Sequence, residues 1–401
     1  MERIFIVAAK RTPIGSFNGS LASLSGVELG AHAIKAALEQ VEIAPEQIDE
    51  VIVGNVLTGG AGMGPGRQAA MKAGIPESVP AYTLNMICGS GMKVIMDGAS
   101  HIRAGDAELV LTCGMESMSN APYVSSGQIR RGYRMGHQLQ EDSIIKDGLT
   151  DAFHNYHMGV TAENIAKQFQ ISREDQDAFA LQSQRKAVSA IESGHFEAEI
   201  APITIVDRKR QFEVKNDEYP KADSTFEGLQ ALRPAFDKEG SVTAGNASGI
   251  NDGASAILLA SESAVKRHNL KPIAEIIEYG QGAIAPEVMG LGPVSAIANT
   301  LAKAEMAIED IDVFELNEAF AAQALGVIRS LTEQHNIDEA WLLERSNLSG
   351  GAIALGHPIG ASGNRIVTTL VYQLQRTRRD YGLASLCIGG GMGTALILKR
   401  C

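Results

Sequence analysis

The chain has 401 residues, enough for two or three domains of ordinary size, which excludes a lone small binding module. Apolar residues make up 45% and charged residues 20%, globular usage that leaves no room for a long disordered tract. Lys plus Arg number 35 against 47 Asp plus Glu, and the resulting net charge of -12 repels phosphate backbones and anionic lipid, which argues against nucleic acid or a membrane surface as partner.

In chain order, Met1 to Val7 already read as a strand, with no signal peptide or Arg- and Ser-rich presequence. No apolar run approaches the ~18 residues of a membrane span. Leu398-Lys399-Arg400-Cys401 is no peroxisomal address. Cys88, Cys113, Cys387 and Cys401 form no CxxC pair and are too sparse for a disulfide framework or a structural zinc site. A cytoplasmic, metal-free protein is therefore expected.

An internal repeat organises the rest. Ala33, Ile34, Leu38, Glu42, Ala44, Glu46, Ile48 and Asp49 meet identical residues at Ala296, Ile297, Leu301, Glu305, Ala307, Glu309, Ile311 and Asp312 without a gap. Each copy reads as helix, short loop and buried strand, the strands being Val51-Ile52-Val53 and Val313-Phe314-Glu315-Leu316. The first half continues with a strand at Tyr82 and Leu84, a helix from Gly91 to Ala104 and a strand at Leu109-Val110-Leu111. The second continues with a helix from about Gly363 to Arg376 and a strand from Leu383 to Ile388. Cys88-Gly89-Ser90-Gly91 and Gly360-Ala361-Ser362-Gly363 are equivalent Gly-rich turns, and only the first carries a thiol.

Between the halves, roughly Ser119 to Gly249, the composition turns polar, as in Arg208 to Ser224, with helices near Ala162 to Phe169 and Arg173 to Ile191. This reads as an ordered, loop-rich insertion of the kind that gathers ligand contacts. Arg130, Arg131 and Arg134 are its densest basic cluster.

Four segments carry candidate chemistry. Cys88 sits where a strand ends and a helix begins, and the free amides and positive dipole end there predict a thiol pKa lowered toward the thiolate. An inert buried cysteine is the alternative. His357, in the glycine-rich loop Gly350 to Gly360, is the base that the pseudo-twofold of two halves would bring to Cys88; a surface histidine is the alternative. Cys387 precedes the run Gly389-Gly390-Gly391, whose exposed amides suit an oxyanion; no G-x-G-x-x-G or G-K-[ST] occurs, so nucleotide-phosphate fingerprints are lacking. Asn317-Glu318 follows the repeated strand of the second half, where a helix cap would explain the pair as well as a site would. Cys113 reads as core and Cys401 as chain end.

In order along the whole chain, these motifs resemble the thiolase family. The resemblance runs through Arg11-Thr12-Pro13-Ile14-Gly15, Asn85 to Gly91, Gly114 to Ser119, Tyr156 to Gly159, Arg233 to Phe236, Ala244 to Gly249, Asn317 to Phe320, Gly356-His357-Pro358 and Cys387 to Gly393. Ser119 to Tyr123 is similar to the short-chain, acetoacetyl-CoA branch. The resemblance implies an α/β thiolase fold: two similar layered halves with five-stranded mixed sheets, residues 1–119 with 250–271 and residues 272–401, and an insertion, 120–249, that covers coenzyme A. It implies Cys88 as the nucleophile that holds an acetyl group, His357 as its base, and Cys387 as the acid/base at the methyl carbon. The amides of Cys88 and Gly389 would form one oxyanion hole, and His357 with a water held by Asn317 the other.

For coenzyme A it points to Leu149, His157, Met158, Ala235, Phe236, Ala244, Gly245, Ser248, Ala319 and Phe320. Arg130, Arg131 and Arg134 would offset the phosphates against the chain's negative charge. The sequence departs from the family pattern at Met86 and at Pro220-Lys221, which puts the adenine end in doubt. Acyl-CoA thioesters are implied as substrates with no permanently bound cofactor, and a homotetramer, a dimer of dimers, as the assembly. The expected reaction is acetyl-CoA C-acetyl transfer. Alternatives are a broader-chain 3-ketoacyl-CoA thiolase of fatty-acid breakdown and a non-catalytic acyl-CoA-binding subunit. A ketoacyl synthase would lack Cys387, and a papain-like hydrolase does not suit twin α/β halves.

Overall fold

Side chains alternate across the first strand, Ile4 and Ile6 facing one apolar cluster and Phe5 and Val7 another, so this strand must lie between two helical layers. In the computed structural model, which describes residues 2–207 and 210–401, it does. Met1 and Arg208, named above in strand and polar-run readings, lie outside the described residues, as does Lys209.

The first half comprises β1 (Ile4–Arg11), α1 (Gly26–Glu39), β2 (Glu50–Gly54), β3 (Ala81–Leu84), α2 (Ser90–Ala104) and β4 (Leu109–Ser117). After the insertion, with α3 (Met158–Gln168) and α4 (Arg173–Glu192), the chain returns to that half as β5 (Asn251–Ser261). The second half comprises β6 (Ala274–Ala283), α5 (Gly292–Ala304), β7 (Val313–Leu316), α6 (Ala321–His335), α7 (Ser362–Thr377), β8 (Tyr381–Ile388) and β9 (Met392–Arg400).

Strand order is β7-β8-β9-β6-β1-β5-β4-β2-β3, with Gly15–Ser16 paired onto β5 as the tenth strand. The two halves meet at the antiparallel β1/β6 pair, Ile4 opposite Ile276 and Ile6 opposite Ala274. Outward from that seam each half repeats the same senses: two antiparallel pairings, then a parallel one, β4/β2 or β8/β7. The fifth strand is complete only in the first half, where β3 lies parallel to β2. Its counterpart in the second is the single parallel bridge of Phe314 with Ser346. The sheets are therefore continuous through the seam rather than two separate five-stranded units.

The repeat has a structural reason. Asp49 Oδ2 accepts the backbone N–H groups of Glu108 (2.8 Å) and Leu109 (2.9 Å), and Asp312 Oδ2 accepts those of Asp380 and Tyr381, both 3.0 Å. Each aspartate thus ties the turn before one parallel strand to the first amides of its neighbour.

α2 and α7 pack against each other between the half-sheets, sharing one cluster that includes Met92, Ile95, Ile366 and Leu370, while α1 and α5 cover the outer faces. The central helices cross at glycines. A Cβ on Gly91 would stand 2.6 Å from Asn364 N and 2.9 Å from Gly360 O, and one on Gly363 would collide with Met92 N. That close approach brings the Cys88 and His357 turns to the middle of the molecule.

The insertion is anchored by charge. Arg11, wholly buried, reaches Glu199 at 2.6 Å and both oxygens of Asp217 at 2.7 and 2.9 Å, joining β1 to two points of the insertion. Besides its helices the insertion carries two small hairpins, Tyr123–Ser125 with Gln140–Asp142 and Ile203–Asp207 with Arg210–Val214, which its polar composition did not announce.

Candidate active site

Cys88 is presented by a tight turn between β3 and α2, with Ile87 held at φ +49 just before it. It is half-buried and packs against Val56, Leu57, Met118, Ile144 and Ile359, the last from the His357 loop. Two backbone N–H groups reach its sulfur, that of Gly389 and its own. The structure nevertheless corrects the expected thiolate. Burial dominates and pushes the Cys88 thiol up to about 11, and the two amides only partly offset it.

Cys387 is the last residue but one of β8, opposite Gly393 of β9, and is buried on the face that also holds Met158, Ala319 and Phe320. Its thiol is pushed well up by burial and further by the proximity of Cys88. A Cβ on Gly389 would come within 3.6 Å of both Ile87 Cγ2 and Met158 Sδ, so the Gly run passes directly beside the Cys88 turn.

His357 is buried, and its backbone N–H donates to Asn251 Oδ1 at 2.9 Å. Burial, and then the charge of Arg365, lower it to about 4, so the imidazole is neutral and able to accept a proton. Its Nε2 and both polar side-chain atoms of Asn317 are buried without a partner among the described residues. Buried groups of this kind are normally hydrogen-bonded, so each is left able to bond a water or a substrate atom. Asn317 N–H donates to Ser385 O at 3.0 Å, setting it two residues from Cys387 along β8.

The candidate coenzyme A residues fall into three groups. Leu149 packs into the Cys88 cluster. His157 stacks on Phe236 at 4.5 Å, and Phe236 meets Phe320 edge-on at 6.1 Å, with Met158 and Ala319 in the same cluster. Ser248 N–H donates to Ala319 O at 2.9 Å and Ala235 N–H to Val242 O at 2.9 Å, which fixes the loops that carry them. Ala244 and Gly245 line an outer cavity of about 310 Å³ with Tyr219, Lys221 and Leu232. Arg130, Arg131 and Arg134 are not there. They stand exposed on the arm between Tyr123 and Asp142, and Lys221 is the cation beside Ala244 and Gly245.

The N-terminal thiolase domain model matches residues 4–263 and the C-terminal one residues 270–400. The chain belongs to the thiolase family. This thiolase is 52% identical to the acetyl-CoA acetyltransferase of Escherichia coli (strain K12) over 100% of both chains. It is 49% identical to the cytosolic acetyl-CoA acetyltransferase of Mus musculus, covering 100% of this chain and 98% of that one. Two solved structures superpose on it with TM-scores of 0.95, covering 100% of this chain and 99% of each neighbour. They are the Bacillus anthracis acetyl-CoA acetyltransferase, 42% identical, and human mitochondrial 3-ketoacyl-CoA thiolase, 43% identical.

Two supporting residues of this thiolase, Glu116 and Asn251, were given no role by the sequence reading, and a third, Glu318, was named there only in a polar pair at a strand end. Glu116 accepts from Val56 N (3.0 Å), Leu57 N (3.1 Å), Asn55 Nδ2 (2.8 Å) and Gly360 N (3.0 Å), tying the His357 loop to the other half. Glu318 ties the second half to the insertion, accepting from Ser183 Oγ of α4 (2.6 Å) and from Asn347 Nδ2 (2.8 Å). Asn251 holds the His357 backbone. A buried carboxylate whose donors are backbone groups far away in the chain leaves no local pattern to read.

Proposed function

We propose that the protein is an acetyl-CoA C-acetyltransferase, interconverting two acetyl-CoA with acetoacetyl-CoA and CoA through acetyl-Cys88. The observation that carries this reading is the pairing of two cysteines, Cys88 close enough to Cys387 to push that thiol further up, with the Gly389 amide on the Cys88 sulfur. A single nucleophile would need only one thiol.

In the first half-reaction His357 Nε2 takes the Cys88 Sγ proton as sulfur attacks the thioester carbonyl carbon. The resting pair is neutral, so proton transfer accompanies attack rather than preceding it. The tetrahedral oxyanion receives the amides of Cys88 and Gly389, and the C–S bond to coenzyme A breaks. The departing CoA thiolate takes the Cys387 proton. This balance leaves imidazolium on His357 and a thiolate on Cys387. In the second, that thiolate removes a proton from the methyl carbon of the next acetyl-CoA. The enolate oxygen lies toward His357 and the water held by Asn317. Its carbon attacks the acetyl carbonyl, and Cys88 leaves with the proton of His357, which resets the site.

Leu149, His157, Met158, Ala235, Phe236, Ala244, Gly245, Ser248, Ala319 and Phe320 form the coenzyme A path, ending at Lys221. The working division is residues 1–119 with 250–271, 120–249 and 272–401, supported by the return of β5 to the first half-sheet. A cytoplasmic homotetramer is proposed, supported by the exposed apolar side chains Tyr123, Met135, Leu139 and Phe153 on and beside the hairpin arm.

The test separates the cysteines. Cys387→Ala is expected to form acetyl-Cys88 yet lose condensation and thiolysis by ~10²- to 10⁴-fold, and Cys88→Ala to lose acetylation as well, read by peptide mass and by cleavage rate. Near-normal cleavage by Cys387→Ala sinks the mechanism. The likeness to human 3-ketoacyl-CoA thiolase supports a broader-chain reading instead, and cleavage rates across 3-ketoacyl-CoA lengths decide between them.

A further inference from the structure

The two equivalent Gly-rich turns place a serine at the same point, Ser90 and Ser362, each buried and each the first residue of its helix. Ser90 Oγ donates to Ile87 O at 2.7 Å and accepts from Met86 N at 2.8 Å, closing the turn that presents Cys88. Ser362 Oγ donates to Pro358 O at 2.9 Å, and its other partner is His357 Nδ1 at 2.5 Å.

A hydroxyl has one proton, and the Pro358 carbonyl has none to give. Given to Pro358 O, which also takes the backbone N–H groups of Ala361 and Ser362, the Ser362 proton is not available to His357, and the proton between Ser362 and His357 then belongs to the imidazole. Nδ1 carries it, which leaves the lone pair on Nε2, the ring atom without a partner among the described residues. His157 shows the opposite arrangement, its Nδ1 accepting Gly159 N–H at 3.0 Å, so each imidazole's tautomer is set by its own neighbours.

We propose that Ser362 is the positioning residue that holds His357 as the Nδ1–H tautomer, and so makes Nε2 the acceptor for the Cys88 proton. The inference rests on the assignment of His357 as base given above. With the other tautomer Nε2 would already carry a proton, and no acceptor would face the thiol. In the acetylation step the proton passes from Sγ to Nε2, giving an imidazolium whose Nδ1–H stays on Ser362. When Nε2 returns the proton to Cys88, the starting tautomer is restored. The repeat thus uses one serine position twice, in the first half to shape the nucleophile's turn and in the second to orient the base.

Single-turnover acetylation by acetyl-CoA is measured on the full-length wild type, Ser362→Ala, Ser362→Thr and His357→Asn, beside the nitrogen-15 NMR signals of the His357 ring. Ser362→Ala is expected to slow acetylation roughly 10- to 100-fold, the usual loss when a histidine's orienting partner goes. Its KM for acetyl-CoA should change little, and Ser362→Thr, which keeps the hydroxyl, should restore most of the rate. The ring signal absent from His357→Asn should report Nδ1–H in the wild type, a readout that stands even where Ser362→Ala fails to fold. An Nε2–H tautomer in the wild type overturns the inference, as does a full-rate Ser362→Ala beside an inactive His357→Asn. A full-rate His357→Asn instead overturns the base assignment on which it rests.

Discussion

His357 holds its lone pair down to about pH 4 because burial, and then Arg365, oppose a positive charge on the ring. As pH falls through that value the ring takes a proton and the base is lost. The acid limb of Cys88 acetylation should therefore lie near pH 4 rather than in the ordinary imidazole range, measured as single-turnover rate against pH. A limb near 6.5, the unperturbed value, would mean that water reaches the ring. On the alkaline side burial has the opposite consequence for Cys88, whose thiol is pushed up to about 11. Its alkylation should keep accelerating past the normal thiol range. The helix start alone suggested a thiolate at neutral pH; what overrode it was desolvation by Val56, Ile144 and Ile359, residues distant in sequence from the turn.

At the scale of elements, the duplicated helix and turn end in Asp49 and Asp312, just before the repeated strand, and each accepts two backbone donors at the start of a neighbouring strand. Asp49→Ala and Asp312→Ala should each cost ~0.5–1.5 kcal/mol, the net worth of such bonds where water can replace the carboxylate, with similar falls in urea midpoint and little change in acetylation rate. A loss at only one of the two would show that the copies have diverged in what they do. The repeat and the strand and helix periods were legible because those signals are local. The missing fifth strand of the second half was not, since one bridge at Ser346 carries no periodic pattern.

Across the whole molecule the insertion is held to the core by a buried ionic joint. Arg11 faces Glu199 and Asp217, and Glu199 also accepts from Thr369 Oγ1 of α7 at 3.1 Å. Arg11→Met would leave two buried carboxylates without their cation, at a cost of ~3–5 kcal/mol. The expected result is a lowered melting temperature and faster amide exchange near Glu199 and Asp217. Unchanged exchange there would mean that apolar contacts alone seat the insertion.

The sequence by itself determined the two α/β halves, the turns that bear Cys88 and His357, the Gly run after Cys387 and the family, because periodicity, Gly spacing and motif order are properties of neighbouring residues. Only the tertiary structure decided that the sheets join at β1/β6, that the arginines of the arm stand away from the Ala244 and Gly245 cavity, and that Ser362 and not a carboxylate meets His357. Each of these depends on which distant groups share a buried volume. So does the protonation of the site: a thiol or an imidazole takes its pKa from the water it has lost and the charges it faces, and both are set only when the chain has closed around it.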